Sequence, residues 1–283
     1  MKKNFEFEDL LLNQNLLEYF NDLESLPTVP DIYTKINQMI KKNESADRIT
    51  REIETDQSLS VRILKVANSA FYGNNIGSVK QAIMYIGLNN IKSIILSNSI
   101  FEKNNLKKAE ILWEHALLTN KIAGYIYQKI LLRKISSEYS SAGLLHDIGR
   151  VLILSYFEKE NTQVENRLDN NPVDLEIRTQ YEYEVFGFDH TKLGGYLLNW
   201  WGIPFPVVEA AVFHHDPLNS SIINNELVSV IYLANIIAWE ITEQEKKGEI
   251  INVEVIKKLG ITTEKFYEKI DEFIKSEFSD SEV

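Results

Sequence analysis

The sequence predicts an all-α protein, and three observations support that fold class. Nearly every long segment repeats its apolar residues at the helical period rather than in strict alternation. Only 6 prolines and 12 glycines interrupt the 283 residues. The two segments richest in strand-forming residues, SIILSNSIF and VLILSYF, both lie inside longer helical patterns. We therefore expect roughly a dozen helices and few strands.

The first predicted helix lies in TVPDIYTKINQMIKKN, where Ile32, Ile36 and Met39 share one helical face. Thr28 followed by Asp31 has the spacing of a capping box, in which two side chains satisfy the first free backbone N–H groups. The pattern predicts a helix that begins next to Pro30.

The next helices are predicted in DQSLSVRILKVANSAFYG and SVKQAIMYIG. The first of these is apolar on two sides, which is typical of a buried helix. It contains Asn68, whose amide we expect to be buried and bonded to the backbone at the turn before FYG. The second opens with Ser78 and Gln81, again at capping-box spacing.

A polar stretch over residues 101–110, FEKNNLKKAE, divides the chain into a half without histidine and a half that holds every histidine. We predict an N-terminal helical subdomain at 1–105 and a second helical subdomain at 106–283. A second polar stretch, residues 158–174, is predicted to be a loop or a short exposed helix.

Composition indicates a soluble globular protein, with 44% hydrophobic and 25% charged residues. The absence of cysteine excludes disulfides and thiolate metal sites and is compatible with a reducing cytoplasm. A net charge of −11 argues against nucleic-acid binding, and Arg62, Lys65 and Lys80 read best as a solvated helix face. The apolar segment at 228–239 is too short to span a bilayer. We expect a cytoplasmic protein without nucleic-acid or membrane partners.

The histidines occupy positions that predicted helices turn inward. They are His115, His146, His190, His214 and His215. His115 shares a stripe with Ile111 and Leu118, so it should point into the core. Each histidine alone is more often an ordinary core or surface residue, but four helical segments each deliver one beside apolar positions.

His146 and Asp147 stand in the apolar stretch SAGLLHDIGRVLIL and are predicted to lie mid-helix. Adjacent ionisable side chains are costly to bury unless something pairs with them. Because neighbouring helix positions point about 100° apart, the two can serve one centre only if it lies beside the helix.

Two other segments place histidines at helix ends. Asp189 is a good N-cap, which puts His190 in a first helical turn. His214 and His215 end a helix before Pro217, and one of the two can be a ligand while the other is a surface residue. Converging imidazoles suit Fe, Mn or Zn, and a carboxylate can bridge two ions. A hydrogen-bond network without metal remains the alternative.

The chain also resembles a known family over about residues 20–240. The order of the five histidines and Asp147 is similar to the HD superfamily of metal-dependent phosphohydrolases, most closely to its HD-GYP spacing. The segments LPTVPDIYTKI, IETDQSLSVRILKVANSAFYG and IGSVKQAIMYIGLNNIKSIIL resemble the signature of the HDOD domain, the HD-related output domain of bacterial signalling proteins. This resemblance implies an HD-domain-like helical bundle with an additional N-terminal helical subdomain, together one HDOD unit.

The resemblance also implies one or two transition-metal ions and a set of ligands. A first ion would be held by His115, His146 and Asp147, and Asp147 would bridge to a second ion held by His190, His214 and His215. Asn235 stands where the family has a last aspartate ligand, so a hard cation would be held less firmly at the first site.

Two further positions depart from the HD-GYP pattern. Arg150 replaces a lysine, and although arginine cannot exchange protons near neutrality it can clamp a phosphate. The segment HHDPLNSS lacks the glycine-bearing loop that follows the paired histidines in HD-GYP proteins.

These features favour a bacterial signal-transduction output module that acts through a regulatory protein partner without catalytic turnover. One alternative is a metal-dependent phosphohydrolase or phosphodiesterase acting on a nucleotide or cyclic dinucleotide. Another is a metal-loaded sensor. The segments AFYG (70–73) and NWWGIPF (199–205) are candidate contact surfaces for a partner, or else core elements with tight turns.

Overall fold

The computed structural model describes most of the chain and is helical throughout the described part. The described residues are 30–68, 76–101, 107–136, 139–169, 175–242 and 251–278. Across these ranges the chain forms fifteen α-helices and one π-helical turn, with no β-strand. The prediction of an all-α fold is confirmed, and both segments rich in strand-forming residues are helical.

The first half contributes five helices. They are α1 (Asp31–Lys41), α2 (Ala46–Ile53), α3 (Gln57–Ala67), α4 (Val79–Ile86) and α5 (Leu88–Phe101). The predicted cap of α4 is present, since the Ser78 side chain accepts a hydrogen bond from the backbone N–H of Gln81 at 3.2 Å. The Gln81 side chain reaches back to the N–H of Gly77 at 2.9 Å. Thr28 lies outside the described residues, and α1 follows Pro30 without a side-chain cap.

Asn68 differs from the expectation in its burial. It follows the last residue of α3 and is exposed rather than buried in a helix. Its amide nevertheless bonds to backbone, because Nδ2 donates to the Ile76 carbonyl at 2.7 Å and Oδ1 accepts from the Ile76 N–H at 2.6 Å. The amide therefore ties the end of α3 to the chain just before α4.

The second half contributes ten helices and the π-helical turn. They are α6 (Lys107–Tyr125), the π-helical turn (Ile126–Ile130), α7 (Ala142–Leu145), α8 (Ile148–Tyr156), α9 (Glu158–Asp169), α10 (Leu175–Phe186), α11 (His190–Trp200), α12 (Phe205–Phe213), α13 (Asn225–Thr242), α14 (Val253–Lys258) and α15 (Thr263–Phe278). The polar segment after residue 157 is thus a 12-residue helix, α9, which buries Val164 and Leu168.

The helices that later form the site pack directly on one another. Helix α13 lies against α6, while α11 lies against both α8 and α12. Helix α5 of the first half contacts α7 and α8. The buried hydrophobic side chains of both halves belong to one cluster. Because the two halves share this core, the packing does not mark a boundary between them, and the predicted division at residues 105 and 106 stays a prediction.

The surface departs in part from the sequence expectations. Residues 70–73 lie outside the described part, and in NWWGIPF Trp200 is half exposed while Trp201 is buried before a turn at Gly202 with φ +67°. Lys65 and Lys80 are exposed, as expected for a solvated face. None of the helices within the described ranges is long and apolar enough to cross a bilayer.

Glycine allows α8 and α11 to approach until their backbones touch. A Cβ atom built on Gly149 would lie 1.9 Å from the carbonyl oxygen of His190 and 2.8 Å from the backbone nitrogen of Gly194. Real Cβ atoms are essentially never found that close to backbone atoms. A Cβ on Gly143 would similarly lie 2.5 Å from the Cα of Asn120, which brings α7 against α6. These contacts set the distance between α8 and α11 and the distance between α7 and α6.

We predict that Gly149→Ala will destabilise the protein by about 1–3 kcal/mol or more, because the new methyl group must push α8 away from α11. Gly124→Ala is the matched control, since nothing lies within 4 Å of its Cβ position in α6. That control should be stabilised by about 0.5–1 kcal/mol, as expected for glycine replaced inside a helix. Urea unfolding measures both changes, and equal effects would contradict the close approach.

We also predict that Asn68→Leu will lower the free energy of unfolding by about 1–2 kcal/mol, because both hydrogen bonds to Ile76 are lost. Gln163→Leu, at an exposed position on α9, is the control. An unchanged melting curve for Asn68→Leu would show that the tie between α3 and α4 carries no stability.

Candidate metal centre

The seven residues singled out as ligands meet at one buried place in the helical assembly. They are His115 of α6, His146 and Asp147 between α7 and α8, His190 of α11, His214 and His215 after α12, and Asn235 of α13. All are at most 4% exposed except His215, which is partly exposed. The residues come from distant parts of the sequence, so the tertiary fold alone assembles them.

His146 and Asp147 are not mid-helix, which corrects the sequence prediction. Helix α7 ends at Leu145 and α8 begins at Ile148, and Asp147 between them has φ −101° and ψ 16°. On a continuous helix the two side chains would diverge by about 100°. The break instead lets His146 and Asp147 serve the same centre.

The two oxygens of Asp147 face two different groups of side chains. Oδ1 lies 3.4 Å from Nε2 of His190 and 3.3 Å from Nε2 of His214. Oδ2 lies 3.7 Å from Nε2 of His146 and 3.9 Å from Nε2 of His115. These separations exceed those of strong hydrogen bonds, and each oxygen has the position of one end of a bridging carboxylate.

Hydrogen bonds to backbone carbonyls on the outer side of the centre fix which nitrogen carries hydrogen in two of the imidazoles. The Nδ1–H of His146 donates to the carbonyl of Gly143 at 2.8 Å, and the Nδ1–H of His214 donates to the carbonyl of Ala211 at 2.8 Å. Carbonyl oxygens can only accept, so the inward Nε2 atoms of the neutral rings carry lone pairs. Such outer partners are typical of metal-binding histidines.

His190 is held by a buried carboxylate that the sequence analysis missed. Oε2 of Glu182, a residue of α10, accepts from the Nδ1–H of His190 at 2.6 Å and from its backbone N–H at 2.8 Å. Glu182 is 1% exposed, and the guanidinium of Arg178 lies 4.0 Å from its other oxygen. In the sequence, Glu182 could be recognised only as an ionisable residue on the buried face of a helix. Its partner, His190, is determined by how α10 packs against the start of α11.

On the asparagine side of the centre, several side chains lie close to Nε2 of His115. Nε2 of His115 lies 2.8 Å from Oδ1 of Asn235 and 3.3 Å from Nε2 of His146. The hydroxyl of Thr119 lies 3.3 Å from the same His115 nitrogen, and the Trp239 ring stacks on His115 with centroids 3.8 Å apart. Thr119 and Trp239 were not identified from the sequence, because each looks like ordinary helix core.

Arg150 lies inside the centre rather than at its edge. Its side chain is 9% exposed, and Nη1 is 3.3 Å from Oδ2 of Asp147. The guanidinium carbon lies 5.0 Å from the centroid of the Trp239 ring, a cation–π distance. The Arg150 guanidinium thus already pairs with Asp147. Its role as a phosphate clamp stays a prediction.

Burial governs the protonation of the imidazoles. Desolvation lowers the pKa of His146 to about 4 and holds the pKa values of His115 and His215 well below their usual value. Burial alone would lower the pKa of His190 as well, but the Glu182 carboxylate outweighs it and raises that pKa.

The Asp147 carboxyl responds in the opposite sense. Burial alone would raise its pKa, but His146 and Arg150 together with the other histidines outweigh burial and hold the pKa well below the usual range. An ionised carboxylate beside the neutral imidazoles of His115, His146 and His215 has the protonation states that metal ligands require.

The donor atoms fit a transition-metal ion. Oδ1 of Asp147 and Nε2 of His214 have no hydrogen-bond partner among the described residues, although both are buried. Tetrahedral bonds of about 2.0–2.1 Å place ligand atoms about 3.3 Å apart. The distances from Nε2 of His190 to Nε2 of His215 and to Oδ1 of Asp147 are 3.2 and 3.4 Å. The Asp147, His190, His214 and His215 group therefore matches such an ion.

The centre reaches the surface beside His215. A cavity of about 340 Å³ opens there, and His215, Lys192 and Asp216 contribute to its lining. The Lys192 ammonium lies over the Phe213 ring at 5.4 Å. The partial exposure of His215 makes this the accessible side of an otherwise buried group.

Comparison with known protein families supports the resemblance to the HDOD domain noted in the sequence. The sequence profile of the HDOD domain matches residues 26–217. The chain belongs to the HDOD family. The match lies within the predicted unit at about 20–240 and includes all the candidate ligands except Asn235.

Solved structures of other bacterial proteins share the fold. An HDOD domain protein of Geobacter sulfurreducens is 24% identical, covers 96% of each chain and superposes with a TM-score of 0.72. A Shewanella amazonensis protein provisionally described as a phosphohydrolase is 18% identical, covers 94% of this chain and 96% of its own, and gives a TM-score of 0.69. An uncharacterized Treponema pallidum protein is 21% identical over 75% of this HDOD chain, which spans only 42% of that relative's length.

We predict that Glu182→Ala will weaken metal binding about 10–100-fold, because His190 loses the carboxylate that orients its ring. Glu184→Ala is the matched control, since Glu184 is exposed on the same helix and pairs with Arg167. Competition with a chelator measures both affinities. Equal affinities for the two variants would show that Glu182 does not orient His190 toward an ion.

Proposed function

We propose that this HDOD protein is a regulatory module of bacterial signal transduction built around a buried metal centre. The observation that carries the proposal is the convergence of imidazole lone pairs on the ionised Asp147 carboxylate. Lone pairs and anions that face one another in a buried site are mutually repulsive, and a cation relieves the repulsion. The imidazole and carboxylate donors suit Fe, Mn or Zn.

A bound ion would link elements that are far apart in the sequence. Asp147 precedes α8, His190 begins α11, and His214 follows α12. Because binding to the folded state alone adds stability by mass action, the metal state would set how firmly these three helix ends are held together. A partner that contacts the packed helices could then read the metal state without any turnover.

The partner in this proposal is a regulatory protein. Val61 on α3 and Met84 and Tyr85 on the neighbouring helix α4 are each more than half exposed. Exposed apolar side chains on adjacent helices suit a protein contact. The proposal places the protein in the cytoplasm, which is compatible with its lack of cysteine, and assigns it no nucleic-acid or membrane partner.

A second candidate function is hydrolysis of a phosphate ester in a nucleotide or cyclic dinucleotide. The cavity beside His215 favours it, because that cavity gives a solute access to one of the candidate ligands. The similarity to the Shewanella amazonensis protein supports it as well. A bound ion would supply an activated water and stabilise charge on the phosphoryl group. Lys192 would attract the anionic substrate from the cavity wall.

We predict that protein purified without oxygen will contain near-stoichiometric iron, manganese or zinc, and that Asp147→Ala will lose it. Asp271→Ala is the matched control, because Asp271 is exposed on α15. Elemental analysis gives the metal content. Restoring metal at about 100 times its dissociation constant should stabilise the wild-type protein by about 2.7 kcal/mol. Folded wild-type protein that binds no metal would contradict the proposal.

The same samples separate the two functions. Metal-loaded protein is incubated with nucleotide phosphodiesters and monoesters, with Asp147→Ala as the blank. Release of product above that blank would establish the hydrolase. No release from metal-loaded protein would leave the regulatory function as the one that the centre serves.

A further inference from the structure

We propose that the centre is built for one ion, held by Asp147 Oδ1 with His190, His214 and His215, and that Arg150 supplies the positive charge on the other side of Asp147. This inference rests on the proposed metal centre and deepens it. The two sides of the carboxylate differ in the hydrogen atoms available to its neighbours.

On the His190 side there are too few hydrogen atoms to satisfy the inward-facing groups. The Nδ1–H groups of His190 and His214 already donate outward, to Glu182 and to the Ala211 carbonyl. A proton on Nε2 of His190 would reach Oδ1 of Asp147, but it would still leave Nε2 of His214 facing the same oxygen without a hydrogen. A cation satisfies all these atoms at once.

On the Asn235 side one hydrogen atom links His115, Asn235 and His146. Nδ1 of His115 has no hydrogen-bond partner within the described ranges, so the ring hydrogen of His115 can reside on Nε2. There it donates to Oδ1 of Asn235 at 2.8 Å and also faces the lone pair of His146 at 3.3 Å. The neutral amide adds no negative charge that would call for a cation.

Arg150 completes this asymmetry. Its guanidinium donates to Oδ2 of Asp147 at 3.3 Å, the oxygen that faces His115 and His146. Oδ1, the oxygen on the other side, has no hydrogen-bond partner among the described residues. A second divalent ion at Oδ2 would compete with a fixed positive charge, whereas an ion at Oδ1 would displace no hydrogen bond made by that oxygen.

The distances from the Asp147 oxygens to the imidazole nitrogens also differ between the two sides. Oδ2 lies 3.7 and 3.9 Å from the two imidazole nitrogens on its side, compared with 3.3 and 3.4 Å around Oδ1. Oδ1 therefore lies at spacings close to the roughly 3.3 Å edge of a tetrahedral site, whereas Oδ2 lies farther from its imidazoles, although those of His115 and His146 are themselves 3.3 Å apart. The single ion would also lie beside the cavity at His215.

Metal stoichiometry tests the inference without any activity assay. Purified protein is equilibrated with excess Zn²⁺, freed of unbound ion and analysed for zinc per chain, with circular dichroism as the check on folding. We expect one zinc in the wild type, one in His115→Gln and none in His190→Gln. Asn235→Asp combined with Arg150→Gln, which restores an anionic ligand and removes the fixed charge, should hold two.

Each other result is decisive. Two zinc ions in the wild type, or loss of the ion in His115→Gln, would overturn the one-ion assignment while leaving the proposed metal centre intact. No zinc in a folded wild type would overturn the proposed function itself. If the double variant fails to fold, the zinc content of the wild type and of His115→Gln still decides the one-ion assignment. A folded double variant that still holds one zinc would overturn the roles assigned to Asn235 and Arg150.

Discussion

The structure depends on one electrostatic constraint, which is an ionised carboxylate buried among imidazole lone pairs. Asp147 is 4% exposed, and Nε2 atoms of His190 and His214 approach its Oδ1 within 3.4 Å. Burial removes these atoms from bulk water. Arg150 neutralises the carboxylate from one side, and the imidazoles on the other side would do so together with the proposed metal ion.

The surrounding helices hold this arrangement in place through backbone contacts as much as through side chains. Gly149 and Gly194 let α8 and α11 touch, which fixes the distance between Asp147 and His190. The carbonyls of Gly143 and Ala211 set the imidazole tautomers of His146 and His214 from the last turns of their own helices. The same geometry recurs at two helix ends, so the local backbone orients the histidines before any ligand binds.

Much of this arrangement could be predicted from the sequence, and the rest has identifiable physical reasons. The helical periodicity gave the fold class, and the N-cap Asp189 placed His190 correctly, since its side chain accepts from the Lys192 N–H at 3.0 Å. The break at His146 and Asp147 was missed, because Leu, Ile and Val on both sides continue the apolar pattern through it. Glu182 and Trp239 were missed because their roles follow from packing between helices, which periodicity does not describe.

The asymmetry of Asp147 also changes how the family resemblance is interpreted. The ligand pattern of the HD superfamily implied two equivalent tasks for the carboxylate, whereas here its two oxygens have different partners. Asn235 and Arg150, which looked like separate departures in the sequence, lie on the same side of Asp147 in the structure. Together they form a hydrogen-bonded region with its own positive charge, beside the group of donors to which we assign the ion.

The most direct test of this account is anomalous X-ray diffraction from crystals of the zinc-loaded protein, measured on both sides of the zinc absorption edge. The account predicts one strong anomalous peak, within bonding distance of Asp147 Oδ1 and of the Nε2 atoms of His190, His214 and His215. A well-ordered centre without a peak, or a peak of equal strength between His115, His146 and Asn235, would contradict it.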